Sequence, residues 1–421
     1  MRLLNKLSGG LRRVLHILAR PVRGTRGAGP IIIQRYRGYG TRKRIFLMGR
    51  VLRQPGTPSH APETQLRRDF WDVLRRFVRW GAGGREVIAT IAGAEQRVVT
   101  DSHGYFRVNM AVDLPPSRRL WHEVHLRLAD DPAEDTEAVA TVYIPPETAR
   151  LVVISDIDDT IMDTGVASKL TMMWRLFVQT AHARVAFPGI AAFCRALHHG
   201  VSGQALNPML YVSRAPWSIY EVLEEFFRIH RIPVGPILFL REWGLTLQHP
   251  LPRRAKGHKQ ELITEMLALY GEMPFILIGD SGQRDPEIYA DIVGAYPGRV
   301  RAVYIRNVSR GAKRERDIEA LAKKVAEAGS SLVLAADTFA MAEHAAIHGF
   351  ISSAACEEVL AEREAESGTS EKPGPTRVVE QPSERDTAEA VEQGALRESL
   401  AEKIKEGTPP NLAVEPKGRG S

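Results

Sequence analysis

The residues with the greatest chemical potential stand at the ends of apolar runs. Leu151-Val152-Val153-Ile154-Ser155 gives way to Asp156-Ile157-Asp158-Asp159-Thr160, and Phe275-Ile276-Leu277-Ile278-Gly279 gives way to Asp280, with Asp285 shortly after. A third run, Pro208 to Val212, ends in the hydroxyl of Ser213, and Lys259 follows His258 at the start of a helical pattern. Alternate carboxylates that emerge where a strand becomes a loop need something positive nearby, because like charges held together repel. Three or four carboxylates, one hydroxyl and one lysine converging on a sheet edge describe a magnesium-dependent phosphoryl-transfer site, since Mg2+ takes hard oxygen ligands and leaves room for phosphate. An isolated Asp-X-Asp is more often a solvated turn or a cap. The ordered set, not any single member, carries the chemical reading.

Such residues converge only if the runs between them form a sheet. From Leu151 to about Phe350, strands expected at LVVIS, PMLYVS, PILFL, FILIGD, VRAVYIR and LVLA alternate with amphipathic helical stretches. That alternation predicts an α/β fold with a Rossmann-like parallel sheet covered on both faces, and its sites lie at the carboxyl ends of the strands. From Glu86 to Ile144 the pattern is period-two alternation broken by turn residues, as in REVIATIAG, YFRVNMAV and HEVHLRL. Short strands at this spacing predict a small β-sandwich domain ahead of the catalytic sheet. Strand-like text over Ile31 to Leu52 and a helical pattern at Phe70, Val73, Leu74, Phe77 and Val78 precede it.

The expected domains are a basic amphipathic arm over 1–30, a β-rich accessory domain over 31–148, a catalytic domain over 149–352 and a disordered tail over 362–421. No aromatic residue follows Phe350, and a tail rich in Glu, Ser, Pro, Gly and Thr cannot bury enough surface to offset its ordering entropy. A transient helix is expected within it, near Leu396 to Lys405.

Composition sets the outer bounds. A chain of 421 residues, 44% hydrophobic and 25% charged, is ordinary globular protein, neither a disulfide mini-protein nor wholly disordered. No apolar run approaches the roughly 18 to 20 residues that cross a bilayer. Cys194 and Cys356 lack metal-ligand spacing, so a reducing compartment is expected, and the protein is read as cytoplasmic. The net charge of +7 belongs to one end: Met1 to Pro62 holds 14 Lys and Arg and no Asp or Glu. A block of one sign is attracted to polyanions. Its interleaved Leu, Val, Ile, Arg and Lys read as an interfacial helix on an anionic membrane surface, placing the protein peripherally on a membrane. A plain basic leader remains the alternative reading.

The set DIDDT at 156, Ser213, Lys259 and GDSGQRD at 279, in that order, resembles the four motifs of the haloacid dehalogenase superfamily of aspartate-nucleophile phosphatases. The segments SDIDDTI, FPG at 187, YVSRAPWSIY, HK at 258 and IGDSGQRDPEIY are similar to the phosphatidate phosphatase catalytic domain of the yeast actin-patch protein and its bacterial relatives. The resemblance spans about Leu151 to Phe350, and more loosely YRGYGT and GRVL before it. SRAPW departs from the expected serine-rich version, which bears on head-group specificity. The resemblance implies Asp156 as nucleophile and Asp158 as general acid and base. It implies Mg2+ held by Asp156, the backbone carbonyl of Asp158 and Asp280, with Asp285 orienting magnesium waters or Lys259. Ser213 and Lys259 would stabilise the phosphoryl group, and Thr160 and Arg214 would contact substrate. The implied reaction converts phosphatidate to diacylglycerol and phosphate.

Only 56 residues separate Asp156 from Ser213, and 45 separate Ser213 from Lys259, so neither gap holds a large cap. An uncapped site suits a phosphate carried on a surface. GDSG also occurs in trypsin-like proteases, but here it follows an apolar strand in a chain without the matching histidine segment. The stretch KLTMMWRLFVQTA after the first motif could border an acyl chain, although such stripes are more often core. Two other functions stay open. One is a capless phosphatase acting on another macromolecular phosphate, a nucleic-acid end or a phosphoprotein; no nucleic acid is expected, because no stacking platform is recognisable. The other is a non-catalytic phosphatidate-binding module, which would have no need of a nucleophile.

Overall fold

The computed structural model describes residues 22–23, 30–53, 80–129, 137–157, 187–213, 217, 220–239, 257–308, 311–367 and 377–379. Nearly all of the arm, the helical pattern at 70–78, the stretch at 169–181 and the 396–405 segment therefore lie outside the described residues.

The amino-terminal unit is built from short strands whose alternate residues turn inward, as a half-buried pleat requires. They are β1 (Val22–Arg23), β2 (Ile31–Arg35), β3 (Gly38–Gly40), β4 (Arg44–Arg53), β5 (Trp80–Gly81), β6 (Glu86–Ile91), β7 (Ala94–Val99), β8 (Tyr105–Ala111), β9 (Trp121–Leu128) and β10 (Glu137–Tyr143). All ten belong to one hydrogen-bonded network, not to two separate sheets. The long β4 is the reason: it pairs with β2, β3, β5 and β8 along its length and so joins strands that would otherwise divide. Ile45 and Leu47 of β4, Val108 of β8, Val87 of β6, Leu126 of β9 and Val142 of β10 meet in one core. The β-turn before β8 is tied by Asp101, whose Oδ1 accepts from His103 N at 2.8 Å and Tyr105 N at 2.9 Å. Gly104 there has a φ of +82°, and an added Cβ would lie 2.3 Å from the Val51 carbonyl oxygen, so only glycine fits.

The second unit is an α/β layer structure. Its strands are β11 (Val152–Asp156), β12 (Met209–Ser213), β13 (Ile237–Phe239), β14 (Phe275–Asp280), β15 (Val300–Arg306), β16 (Ser331–Ala335) and β17 (Arg377–Val379), in the order β13-β12-β11-β14-β15-β16-β17. The first six are parallel, and β17 is antiparallel to β16. The helices are α1 (Ile190–His199), α2 (Tyr220–Ile229), α3 (His258–Leu269), α4 (Asp285–Ala295), α5 (Ala312–Glu327), α6 (Thr338–Ile347) and α7 (Ser353–Ser367). α1, α2, α6 and α7 pack on the face that carries Val153, Tyr211 and Ile276. α3, α4 and α5 pack on the face that carries Ile154, Leu210 and Leu277. Covering both faces is what allows these strands to be apolar throughout. The chain leaves β11 for β12 on one side and returns to β14 on the other, so β11 stands at a switch point where open sheets place their sites.

Two findings differ from expectation at the carboxyl end. Helix α7 runs to Ser367, past the expected domain limit at 352 and into the expected disordered tail. Its Glu366 accepts from Gly189 N at 2.8 Å and its Glu362 from Ala192 N at 2.9 Å, so it caps α1, which has no side-chain cap of its own. The second is β17, whose Arg377, Val378 and Val379 extend the sheet beyond β16. The rest of the tail lies outside the described residues.

The two units share packing. Tyr36 and Tyr105 of the first belong to a core cluster of the second, and the Tyr36 ring packs, tilted, with its centre 4.6 Å from those of both Trp217 and Tyr220. Polar ties accompany this contact. Gln34 Nε2 donates to Glu221 Oε1 at 2.7 Å, Arg37 N donates to the Tyr220 hydroxyl at 2.9 Å, and Arg37 Nε donates to Glu224 Oε1 at 2.7 Å.

Candidate active site

Asp156, Ser213 and Asp280 are the last residues of β11, β12 and β14, so the parallel register alone brings them to one edge of the sheet. α3 and α4 deliver the other two groups, Lys259 in the first turn of α3 and Asp285 as the first residue of α4. Pro286 follows Asp285, where its fixed φ and missing N–H suit a helix start. All five side chains are buried: Asp156, Ser213, Asp280 and Asp285 at 0% exposure and Lys259 at 1%.

Lys259 ties the cluster together. Its Nζ donates to Asp156 Oδ1 at 2.8 Å and to Asp285 Oδ1 at 2.6 Å, and lies 5.3 Å from the centre of the Tyr289 ring. Burial works against a charged lysine, but the two carboxylates outweigh it and hold the ammonium well above the usual lysine range. Burial likewise keeps the Tyr289 phenol protonated, and its hydroxyl donates to the Ile278 carbonyl at 3.1 Å. Asp285 turns its second oxygen to the Asp280 backbone, accepting from Asp280 N at 3.3 Å. This approach explains the residue before Asp280: a Cβ on Gly279 would lie 2.5 Å from Asp285 Oδ2.

Gln283 spans the remaining gap. Its backbone N donates to Asp280 Oδ1 at 2.9 Å, and its Nε2 lies 2.8 Å from Asp280 Oδ2 and 3.4 Å from Asp156 Oδ2. One oxygen from each of Asp156, Asp280 and Asp285 lies within 4.8 Å of the others. Among the described residues, Asp156, Asp280 and Asp285 bring hard carboxylate oxygens together beside the Lys259 ammonium, a donor set that a hard divalent cation would complement.

Of the residues expected from sequence, Asp156, Lys259, Asp280 and Asp285 are brought into one cluster, with Ser213 at the same edge. Asp158, Thr160 and Arg214 lie outside the described residues. Gln283 was not singled out from sequence, although its place three residues after Asp280, between the two acids of DSGQRD, puts it within reach of that carboxylate. Also missed was Arg314, whose Nε donates to the Ser281 carbonyl at 2.9 Å and whose Nη2 donates to the Gln283 carbonyl at 2.6 Å.

Residues 151–307 match the family model for the phosphatidate phosphatase APP1 catalytic domain. That segment contains Asp156, Ser213, Lys259, Asp280 and Asp285. Among curated proteins, the chain is 28% identical over 224 residues to the uncharacterised protein C29B5.04c of Schizosaccharomyces pombe, covering 51% of this chain and 35% of that one. It is 30% identical over 213 residues to phosphatidate phosphatase APP1 of Saccharomyces cerevisiae, covering 49% of this chain and 34% of that one. The chain thus spans about a third of the length of these relatives. Among solved structures, a carbohydrate acetylesterase from Xanthomonas citri aligns over 69% of this chain and 72% of its own at 10% identity and a TM-score of 0.24, too low to bear on the site.

Proposed function

We propose that this chain is a Mg2+-dependent phosphatidate phosphatase that hydrolyses the phosphomonoester to diacylglycerol and phosphate by way of an aspartyl phosphate on Asp156. The observation that carries the reading is Lys259 held between Asp156 and Asp285 at the strand edge, within the segment that matches a phosphatidate phosphatase catalytic domain.

In the first step a carboxylate oxygen of Asp156 attacks phosphorus, and the bond from phosphorus to the diacylglycerol oxygen breaks. Asp158 gives its proton to the departing alkoxide. In the second step Asp158 takes a proton from water, the resulting hydroxide attacks phosphorus, and the Asp156–phosphorus link breaks to release phosphate and restore both carboxyls. Ser213 donates to a phosphoryl oxygen, and Lys259 opposes the negative charge on Asp156 and on the transferring group. Asp285 has both oxygens engaged, one on Lys259 and one on the Asp280 backbone, and so fixes the lysine. Thr160 and Arg214 contact the phosphate and the neighbouring head group.

Asp156 and Asp280 would hold Mg2+, the Asp158 backbone carbonyl would be a further ligand, and Asp285 would orient magnesium waters or Lys259. When bound, the ion neutralises charge on nucleophile and phosphate. Burial of the three carboxylates supports this, since desolvated like charges need a compensating cation.

The substrate class is tested by phosphate release from vesicles of phosphatidate compared with lysophosphatidate, a phosphopeptide and a 3'-phosphorylated oligonucleotide, each with and without EDTA. Fastest release from phosphatidate, abolished by EDTA and restored by Mg2+, is expected. Preference for the peptide or the oligonucleotide would replace the lipid reading with a different phosphatase. Saturable binding of phosphatidate without release would make the chain a binding module.

A further inference from the structure

Helix α5 begins beyond the segment that matches the family model, yet its first turn reaches back to the turn that follows Asp280. Arg314 is the contact. Its Nε and Nη2 donate to the carbonyls of Ser281 and Gln283 at 2.9 and 2.6 Å, and its guanidinium makes a two-point pair with Glu287 of α4, Nη2 to Oε2 at 3.1 Å and Nη1 to Oε1. A planar fork with donors on several edges is the side chain that can join two carbonyls and a carboxylate at once. The neighbouring Glu315 supplies a second path: its Oε1 accepts from Asn307 Nδ2 at 3.0 Å, Asn307 Oδ1 lies 3.3 Å from Ser281 Oγ, and Ser281 Oγ accepts from Val308 N at 2.9 Å.

We propose that Arg314 is a positioning residue for the cation site: it fixes the Ser281–Gln283 turn, and through it the direction of the Asp280 carboxylate, and thereby sets the affinity for a divalent cation. The inference rests on the metal reading of the Asp156–Asp280 edge proposed above. The chain of contacts is short. Arg314 holds the Gln283 carbonyl, and Gln283 donates to Asp280 from both its backbone N and its Nε2. Without Arg314 the turn loses these two hydrogen bonds and samples more conformations. The cation must then order the turn as it binds, which appears as lost affinity. Glu287 orients Arg314 and shares the role at one remove.

The test is calorimetric titration of Mg2+ and Mn2+ into the full-length, EDTA-treated protein, beside the cation dependence of phosphate release. Arg314→Ala should weaken binding by about 10- to 100-fold, the range seen when a group behind a metal ligand is removed. Its half-saturating cation concentration for activity should rise by a similar factor, and much of the lost rate should return at high cation. Arg314→Lys should recover only part of the affinity, since one ammonium cannot join both carbonyls. Ile318→Val, a change in the buried face of the same helix that leaves the hydrogen bonds of Arg314 in place, should lower thermal stability and leave cation affinity at wild type. Equal affinity in wild type and Arg314→Ala would overturn the proposal, as would an Ile318→Val protein that lost affinity as much as Arg314→Ala. Absence of binding in the wild type would instead overturn the metal reading on which the proposal rests.

Discussion

At the scale of single residues, the buried Lys259 stands between two buried carboxylates, Asp156 and Asp285. Such an ion triplet is expensive to desolvate and tolerable only when each charge has its partner, so removing one member leaves the others uncompensated, at about 3 to 5 kcal/mol. Lys259→Ala should therefore lower the melting temperature, measured by circular dichroism, and should slow turnover on the order of 100-fold or more by loss of transition-state charge stabilisation. Lys259→Ala with full stability and full rate would contradict both roles. The pH dependence has a definite sign. A lysine whose folded pKa is raised contributes stability that is fully present below the unfolded value of about 10.4 and is lost only as pH climbs through the folded value. Because the Lys259 ammonium is held well above the ordinary range, melting scans from pH 7 to 10 should show no loss traceable to it. A Lys259-dependent fall in stability within that window, absent from Lys259→Ala, would refute the assignment of charge.

At the scale of elements, the strands of the parallel sheet and the residues at their ends were readable because buried strands are continuous apolar runs and their ends are polar. Asp156, Ser213 and Asp280 each close such a run. What could not be read locally depends on contacts between distant elements. Arg314 looks like any surface arginine of a charged helix until the Ser281 carbonyl is brought to it, and Glu362 and Glu366 look like tail residues until α7 lies on α1. β4 likewise carries no mark that it will pair with four other strands. Those caps lead to a prediction. Glu362 and Glu366 accept from the free N–H groups at the start of α1, and each such cap is worth about 1 kcal/mol. A chain ending at residue 352 should lose these bonds along with the packing of Val359, and should unfold at lower urea than a chain ending at residue 379. Equal midpoints would show that α7 adds nothing to the catalytic unit. Tyr36→Ala, which removes a ring packed on Trp217 and Tyr220, should destabilise by about 3 to 5 kcal/mol, the range for truncating a buried aromatic. A loss below 1 kcal/mol in the same titration would mean that the two units are not packed as one.

At the scale of the whole molecule, the proposed function would set a basic amino-terminal segment beside a site for a phosphate carried on a surface. No helix among the described residues is long and apolar enough to cross a membrane. The seven basic side chains of residues 1–26 would each add up to about 1 kcal/mol of attraction near anionic lipid, screened over roughly 8 to 10 Å at physiological salt. Deleting residues 1–26 should weaken vesicle binding at low salt and raise the KM for vesicular phosphatidate, while hydrolysis of a small aryl phosphate stays unchanged. Equal vesicle binding by full-length and truncated protein would leave the arm a plain leader.

Asp156 is the proposed nucleophile of a magnesium-dependent phosphatidate phosphatase. The most direct test of that role is phosphate and diacylglycerol release from phosphatidate vesicles at saturating Mg2+ by the full-length wild-type and Asp156→Asn proteins, matched in concentration and both shown by circular dichroism to be folded at the assay temperature. An amide fills the space of the carboxylate but cannot attack phosphorus, so wild type should release both products in equal amounts and Asp156→Asn neither. Product release by Asp156→Asn at the wild-type rate, or none by wild type, would contradict the account.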